Sequence, residues 1–288
     1  MLAAETVARA GHCVYATMRQ SSGKNAGAKQ KIDQLAVDEK LDLHTLDLDV
    51  SDPASVQAAV DRVIAEKGRI DAIVNNAGIM SIGLSEAFTE EQMAQAMDVN
   101  VMGPFRLSRA ALPHMRAQGS GLVINVTSIL GRILFPSCGV YCATKFALEA
   151  LTEVMHYELA GLGVETVLVE PGPYPSELLP NSPAPADKDR LAGYGPLATI
   201  REDLTAPFKD LYGGANAPRT QDVADAILGL IEMPAGQRPM RTVCGMDFGA
   251  NALNDAVAQM QGDVLRSLQM GAMVPGKATQ LIGKYPPA

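Results

Sequence analysis

The chain has few of the features that mark secreted, membrane-bound or nucleic-acid-binding proteins. Its 288 residues include only four cysteines, in no CxxC pair and no metal-binding spacing, which indicates reduced thiols in a cytosolic core. A net charge of -8 and a pI near 5.1 leave no excess of basic side chains. Nucleic acids and anionic membranes bind basic surfaces, so we expect neither as a partner. The four cysteines are Cys13, Cys138, Cys142 and Cys244.

Long uninterrupted hydrophobic runs are also missing. Glu5 and Arg9 interrupt the apolar N-terminal stretch, which makes it a poor signal peptide, and no other run approaches membrane-spanning length. We therefore expect a cytoplasmic protein with a small-molecule partner. A hydrophobic content of 47% supplies enough apolar surface for one large α/β domain over residues 1–288.

Apolar strands alternate with amphipathic helices along the chain, which predicts a parallel sheet with right-handed crossovers. Asp52 or Ser51 can cap a helix that begins at Pro53 and ends at Gly68. Thr89 and Gln92 have capping-box spacing before a long helix that would carry Asn100. Further downstream, a helix is predicted from about Gly139 to Leu162, another over 223–231, and a strand over 241–244.

Tyr141 and Lys145 form the most informative pair in this pattern. A helix repeats every 3.6 residues, so these side chains at i and i+4 share one face. A nearby ammonium favours the phenolate, so we expect Lys145 to lower the pKa of Tyr141 and make the phenol an acid or base for carbonyl chemistry. A lone Tyr-x-x-x-Lys also arises by chance, so its surroundings must decide.

Polar side chains follow two predicted strands. Ser128 comes after the apolar run GLVINV, and Asn75 to Gly78, the sequence NNAG, end the strand that begins at Ile70. Carboxyl ends of parallel strands meet at one edge of a sheet, where ligands bind. We expect Ser128 and the NNAG segment to meet the Tyr141 and Lys145 pair at that edge. Ser128 by itself could equally be a turn hydroxyl.

With these motifs in this order, the first 175 residues or so resemble the short-chain dehydrogenase/reductase family. The resemblance implies a Rossmann-like, doubly wound parallel sheet and a nicotinamide-dependent oxidoreductase. Its implied catalytic residues are Asn100, Ser128, Tyr141 and Lys145. Tyr141 would donate the proton, Ser128 would hold the carbonyl oxygen, Lys145 would hold the nicotinamide ribose, and Asn100 would position a water.

The same resemblance implies a set of cofactor-binding residues. Met18 stands at the position where an acidic residue would select NAD, and Arg19 follows it. An arginine there can pair with the 2′-phosphate of the cofactor, which favours NADP(H) over NAD(H). A solvated surface arginine is the alternative for Arg19, and a plain helix-capping acid is the alternative for Asp49. The implied set is Arg19, Asp49, Val50, Asn76, Ala77, Gly78, Tyr141, Lys145, Pro171, Gly172 and Ser176.

One family element does not occur in the sequence. Members begin with a strand and a glycine-rich TGxxxGxG turn that receives the pyrophosphate. This chain instead opens with MLAAETVARAGH, which resembles the end of the family's first helix. We interpret the first strand as missing, which would leave its two neighbours unpaired or force them to pair directly. We expect the chain as written to fold poorly and to bind no NADP(H), and a non-catalytic remnant or interaction protein remains the alternative function.

Residues 173–220 contain eight prolines and show weak periodicity, which predicts a loop with short helices over the active site. Family members commonly pair through long helices such as 89–118 and 139–162. The resemblance therefore also implies a homodimer or homotetramer.

Overall fold

In a computed structural model of the chain, residues 1–214 and 217–283 are described, and they form a mixed α/β domain. The strands are β1 Val14–Met18, β2 Leu43–Asp47, β3 Ala72–Asn75, β4 Gly121–Val126, β5 Val164–Pro171, β6 Arg241–Cys244 and β7 Thr279–Ile282. The helices are α1 Leu2–Arg9, α2 Ala26–Glu39, α3 Pro53–Lys67, α4 Glu90–Met97, α5 Gly103–Gln118, α6 Gly139–Leu159, α7 Lys188–Ala192, α8 Ile200–Gly213, α9 Gln221–Glu232 and α10 Ala250–Ser267.

All strand pairs are parallel, as the alternation of strands and helices predicted. Strands β3, β4, β5, β6 and β7 form one sheet in that order, and β1 pairs with β2 in a two-stranded sheet. Alternate residues of β4 face opposite layers. Leu122 and Ile124 pack with α1 and α9 through Val7 and Ile227, whereas Val123 packs with α3, α5 and α6. The sheet is thus covered on both faces, as in a doubly wound fold.

Strands β1 and β3 are not paired with each other in the described part of the chain. Each has one neighbouring strand, β2 for β1 and β4 for β3. Of the two arrangements expected from the sequence, direct pairing of these strands is therefore not the one adopted. Val14 of β1 still packs into the apolar core beneath β3 and β4, beside Val7 and Val74.

The predicted helix boundaries agree with their capping contacts. Asp52, not Ser51, caps α3 by accepting a hydrogen bond from the Ala54 amide, and Gly68 ends that helix in a left-handed conformation. Thr89 and Gln92 form the expected reciprocal capping box on α4. Between α4 and α5, residues Asp98–Met102 form a π-helical turn that holds Asn100.

The proline-rich segment 173–220 carries α7 and α8 and packs on the loop before α4; its residues 215 and 216 lie outside the described residues. Arg201 donates hydrogen bonds to the carbonyls of Ile82 and Ser182, and Gln92 donates to the carbonyl of Ala184. Within residues 1–214 and 217–283, no helix combines the length and apolar character needed to cross a membrane. The four cysteines are free, but Cys13 is exposed, so its assignment to the core was wrong.

Candidate active site

The carboxyl ends of β3, β4 and β5 bring the predicted polar groups to one edge of the larger sheet. Asn75 is the last residue of β3, Ser128 lies two residues after β4, and Pro171 is the last residue of β5. Helix α6 contributes Tyr141 and Lys145 on a single face, both only 4% exposed. The four catalytic residues implied by the sequence therefore lie around one buried region.

Ser128 is held in an extended conformation by contacts on both sides. Its Oγ accepts a hydrogen bond from the Leu130 amide at 3.1 Å and donates to the Pro171 carbonyl at 3.3 Å. The second contact joins the end of β4 to the end of β5. The Ser128 hydroxyl also lies close enough to the Tyr141 phenol to lower its pKa, which brings the two hydroxyls together.

Tyr141 does not have the lowered pKa that its spacing from Lys145 predicted. Burial raises the pKa of the phenol above its ordinary value, and the Ser128 hydroxyl opposes this rise only in part. The ammonium of Lys145 lies 5.6 Å from the centre of the Tyr141 ring, over its face. The prediction was wrong because the cost of desolvating the phenolate is larger than the stabilisation that its neighbours give it. Tyr141 is consequently a neutral phenol at neutral pH.

Lys145 is the buried cation of the site. Its Nζ donates to the Val126 carbonyl at 3.0 Å, and burial lowers the pKa of Lys145 to about 8, against the opposing charge of Glu149. A lysine with this pKa is close to its titration point at physiological pH. A sizeable fraction of Lys145 is therefore neutral in that range, whereas a lysine with the ordinary pKa stays almost fully protonated.

Asn100 links the π-helical turn to the loop that follows β3. Its Oδ1 accepts from the Ile79 amide and its Nδ2 donates to the Ile79 carbonyl, both at 2.8 Å. Nδ2 also donates to Thr144 Oγ1 at 2.9 Å, one residue before Lys145. Asn100 thus holds the NNAG loop and helix α6 in register. The water that the sequence assigns to Asn100 stays a prediction.

The NNAG loop presents backbone to the site. Asn76 and Ala77 are exposed, and a Cβ added at Gly78 would lie 3.3 Å from Asn100 Oδ1 and 3.8 Å from Lys145 Nζ. Gly78 therefore packs against two of the implied catalytic side chains. Any larger side chain at this position would enter the site.

Pro171 and Gly172 form the turn after β5. The Gly172 amide donates to the Cys244 carbonyl at 2.9 Å, and a Cβ at Gly172 would come within 2.1 Å of the Met246 carbonyl oxygen. Only glycine fits there. Ser176, four residues on, is exposed, and its Oγ accepts a long 3.4 Å bond from the Leu178 amide. Its contact is local, and a role toward a ligand stays a prediction.

Arg19, Asp49 and Val50 lie beyond the ends of β1 and β2. Arg19 is exposed, and its charge reaches Asp49, whose pKa is lowered chiefly by hydrogen bonds from Ser51 and also by Arg19. Val50 packs with Leu48 and Ala59, and its carbonyl accepts from Arg106. Arg19 and Asp49 thus place an exposed cation near a half-buried carboxylate. This combination is suited to bind ribose hydroxyls and a neighbouring phosphate.

A buried ionic network behind the site was not found from the sequence. Arg241 on β6 contacts Glu149 at 3.0 Å, Glu153 at 2.6 Å and Glu170 at 3.2 Å, and it is 3% exposed. Burial raises the pKa of Glu149 and, more strongly, that of Glu170, while the charge of Arg241 opposes both shifts. The one available signal was the position of Glu149, one helical turn after Lys145.

Two acids of this network lie close to implied site residues. Glu149 accepts a hydrogen bond from Thr127, the residue before Ser128, and Glu170 directly precedes the Pro171 turn. Asn254 donates to Glu170 at 2.7 Å and accepts from Arg132. The network therefore connects α6, β4, β5 and β6 directly behind the site.

A second network of neutral polar groups lies deeper in the sheet. Asn75 Nδ2 donates to Asn125 Oδ1 at 2.7 Å, and Asn125 Nδ2 donates to Thr152 Oγ1 at 2.7 Å. These bonds cross from β3 to β4 and from β4 to α6. They fix the NNAG strand end relative to the helix that carries Tyr141.

Comparison with protein families connects this geometry to known proteins. The model of the family described as short chain dehydrogenase matches residues 2–186. The chain is 35% identical over 173 residues to 3-ketodihydrosphingosine reductase of Bacteroides thetaiotaomicron, a match that covers 60% of this chain and 59% of that protein. It is 42% identical over 160 residues to human 17-beta-hydroxysteroid dehydrogenase type 1, covering 56% and 48% of the two chains. The match thus spans about half of each relative.

Solved structures give the same relationship. A short-chain dehydrogenase from Streptomyces avermitilis has a TM-score of 0.67 and 27% identity, with 94% of this chain and 92% of that chain covered. A gluconate 5-dehydrogenase from Burkholderia cenocepacia, solved in complex with NADP and tartrate, has a TM-score of 0.62 and 27% identity, with 80% and 82% covered. These likenesses extend over most of the chain.

Proposed function

The chain belongs to the short-chain dehydrogenase family, and from this membership we propose that it is an oxidoreductase that interconverts an alcohol and a carbonyl group. The observation that carries the proposal is the convergence of Ser128, Tyr141, Lys145 and Asn100 at the carboxyl edge of the sheet. A bound nicotinamide cofactor would supply or accept the hydride. The substrate is proposed to be small and apolar.

In the reducing direction, Tyr141 is the proton donor. Its phenol is neutral at neutral pH because burial raises its pKa, so it can give a proton to an oxygen that gains negative charge. Ser128, close to the phenol, holds the same oxygen. Lys145, with a pKa of about 8, exchanges the proton onward, and a water held near Asn100 would connect it to solvent.

The residues present fit a nicotinamide dinucleotide at both of its ends. The buried ammonium of Lys145 lies beside Gly78, where a side chain would enter the site, and it would hold the nicotinamide ribose hydroxyls. The Gly172 turn would pass beside the nicotinamide ring. Asp49 would hold the adenosine ribose. Arg19 is exposed and would pair with a 2′-phosphate, which supports NADP(H) over NAD(H).

The segment 173–220 is proposed to cover the substrate. Its described part is attached to the NNAG side of the site by the Arg201 and Gln92 hydrogen bonds. At Gly83, a Cβ would lie 2.3 Å from Pro185, so the loop after β3 and the covering segment touch closely. Substrate specificity would then depend on α7 and α8.

Helices α5 and α6 are proposed to form an interface between copies of the chain, giving a homodimer or homotetramer. Their outer faces, together with the π-helical turn before α5, carry large apolar side chains that are more than one third exposed. Burying such side chains is favourable, by about 25 cal/mol for each Å² of apolar surface. These side chains are Met102, Phe105, Phe146, Leu151 and Val154.

One observation favours a second function, that of a non-catalytic scaffold. Strands β1 and β3 are unpaired with each other among the described residues, at the position where the family places its phosphate-binding strand. A scaffold that binds no cofactor would need no strand at that position. On this reading the chain would be an interaction protein that keeps the reductase fold.

The two functions are separated by titrating the chain with NADPH and by measuring single-turnover reduction of a reactive diketone. The enzyme proposal requires saturable NADPH binding, in contrast to the expectation from the sequence, and it requires Tyr141→Phe to keep that affinity while turnover falls by about 10² or more. Tyr15→Phe is the matched control, because Tyr15 lies on β1 and its hydroxyl donates to Glu66 at the surface. Its turnover should equal that of the unmutated chain.

Two results would overturn the enzyme proposal. Absence of NADPH binding at millimolar cofactor would favour the scaffold. Binding together with equal turnover in Tyr141→Phe and Tyr15→Phe would reject Tyr141 as the acid while leaving the fold assignment intact.

A further inference from the structure

A cluster of three side chains with different chemistry lies at the edge of the two-stranded sheet opposite to the active site. Cys13 immediately precedes β1, Asp42 immediately precedes β2, and His44 is the second residue of β2. Their thiol, carboxylate and imidazole ligand atoms all lie within 4.8 Å of one another. No sequence motif joins them, because 28 residues separate Cys13 from Asp42.

The register of the parallel strands places these groups on one face. Val14 pairs with Leu43, and Tyr15 pairs with His44. Because side chains alternate along a strand, Cys13 and Asp42 lie on the same face as Tyr15 and His44. The Tyr15 ring stacks on the His44 ring with centroids 4.9 Å apart, which holds the imidazole in place. His44 Nε2 and Asp42 Oδ1 are 2.6 Å apart and form a hydrogen bond.

These three groups are the ligand types that Zn²⁺ prefers. Zinc binds thiolate sulfur at about 2.3 Å and imidazole nitrogen or carboxylate oxygen at about 2.0–2.2 Å, so two ligand atoms of one ion lie about 3.2–3.8 Å apart. Replacing the proton between His44 and Asp42 by an ion needs only a small separation of the two side chains. Both are about half exposed, which leaves a fourth position for water.

A cation already contacts this cluster. The ammonium of Lys67, at the end of α3, lies 3.5 Å from Asp42 Oδ1. The pKa of Lys67 is raised chiefly by its contact with Cys13. The lysine stem is flexible and partly exposed, so the ammonium can move into solvent when a divalent ion replaces it. The cluster therefore attracts positive charge, and the Lys67 ammonium would compete with a metal ion for it.

We propose that Cys13, Asp42 and His44 form a Zn²⁺ site in which Lys67 competes with the metal. Bound zinc would cross-link β1 to β2. A two-stranded sheet has little stability of its own, so a link between its strands would stabilise this part of the fold. The Cys13 thiol would lose its proton on binding, as metal-bound thiols do. The site would have a structural role, separate from the oxidoreductase chemistry.

The test is a calorimetric titration of the metal-free, untagged chain with Zn²⁺, together with the absorption spectrum of the Co²⁺ form. A thiolate ligand gives Co²⁺ an intense near-ultraviolet charge-transfer band. We expect Cys13→Ser to abolish that band and to weaken Zn²⁺ at least about tenfold, the smallest loss expected when even an outer-shell contact is removed. Asp42→Asn should also weaken Zn²⁺. Asp38→Asn is the matched control, because Asp38 is exposed and accepts only from Gln34.

The Lys67→Met variant gives an expectation of opposite sign. Removing the competing ammonium should tighten Zn²⁺ binding, whereas a general loss of folding would weaken it. A Co²⁺ spectrum without a thiolate band would refute the site. So would equal Zn²⁺ affinity in Cys13→Ser and Asp38→Asn, or weaker Zn²⁺ binding in Lys67→Met.

Discussion

Replacing Lys145 by methionine should stabilise the fold at neutral pH although it removes a functional group. Burial lowers the pKa of Lys145 from 10.5 to about 8, which means that the folded state holds the charged lysine at a cost. One pKa unit corresponds to about 1.4 kcal/mol, so the cost below pH 8 is about 3–4 kcal/mol. Methionine has a similar length and no charge. For a chain of this size the gain corresponds to a rise of about 6–14 °C in melting temperature.

The pH dependence follows from proton linkage. Between pH 8 and 10.5 the unfolded lysine binds more protons than the folded one, so the stability of the unmutated chain rises with pH across this window. The advantage of Lys145→Met should therefore be largest at pH 7–8 and vanish near pH 10.5. Thermal melts of both proteins at pH 7, 9 and 10.5, followed by circular dichroism, measure it.

Lys188→Met is the matched control for this experiment. The Lys188 Nζ donates to the Pro185 carbonyl at 2.9 Å, as Lys145 Nζ does to Val126, but Lys188 is exposed. Its replacement should change the melting temperature little at any pH. The reasoning is refuted if Lys145→Met melts at or below the unmutated chain at pH 7, or if the difference between them does not depend on pH.

Three further results are expected. Arg241→Met should lower the free energy of unfolding by about 3–5 kcal/mol at pH 8, because it leaves buried acids without their cation. The loss should be smaller at pH 5. Arg266→Met, at an exposed ion pair, is the control in the same denaturant titration. Arg19→Ala should weaken NADPH binding by about 1.5–3 kcal/mol and leave NADH binding unchanged in a fluorescence titration. Equal binding of both cofactors by the unmutated chain would contradict the preference for NADPH. Phe146→Glu should shift the sedimentation coefficient to that of a monomer, whereas an unchanged value would exclude the α5 and α6 face.

Short-range patterns in the sequence were enough to predict most helices and strands, whereas the catalytic set came from the resemblance of its motifs to a known family and stays a prediction. Helix caps at Asp52 and Thr89 depend on contacts within three residues, and the shared face of Tyr141 and Lys145 depends on one helical turn. Strand ends and crossovers follow from the alternation of apolar runs. For this reason the α/β class, the parallel sheet and the family could be predicted before any coordinates.

Protonation and partner choice depended on tertiary structure instead. Spacing shows that Lys145 neighbours Tyr141, but the pKa of the phenol is set by how many layers cover it, and here burial raises it. Arg241 meets Glu149 across 92 residues, and Cys13 meets Asp42 only through strand pairing. Such contacts bring together groups that no local pattern connects. The sequence alone thus determined which chemical groups are available, and only the packed structure decided their surroundings and charge states, because desolvation and Coulomb interactions act through space and not along the chain.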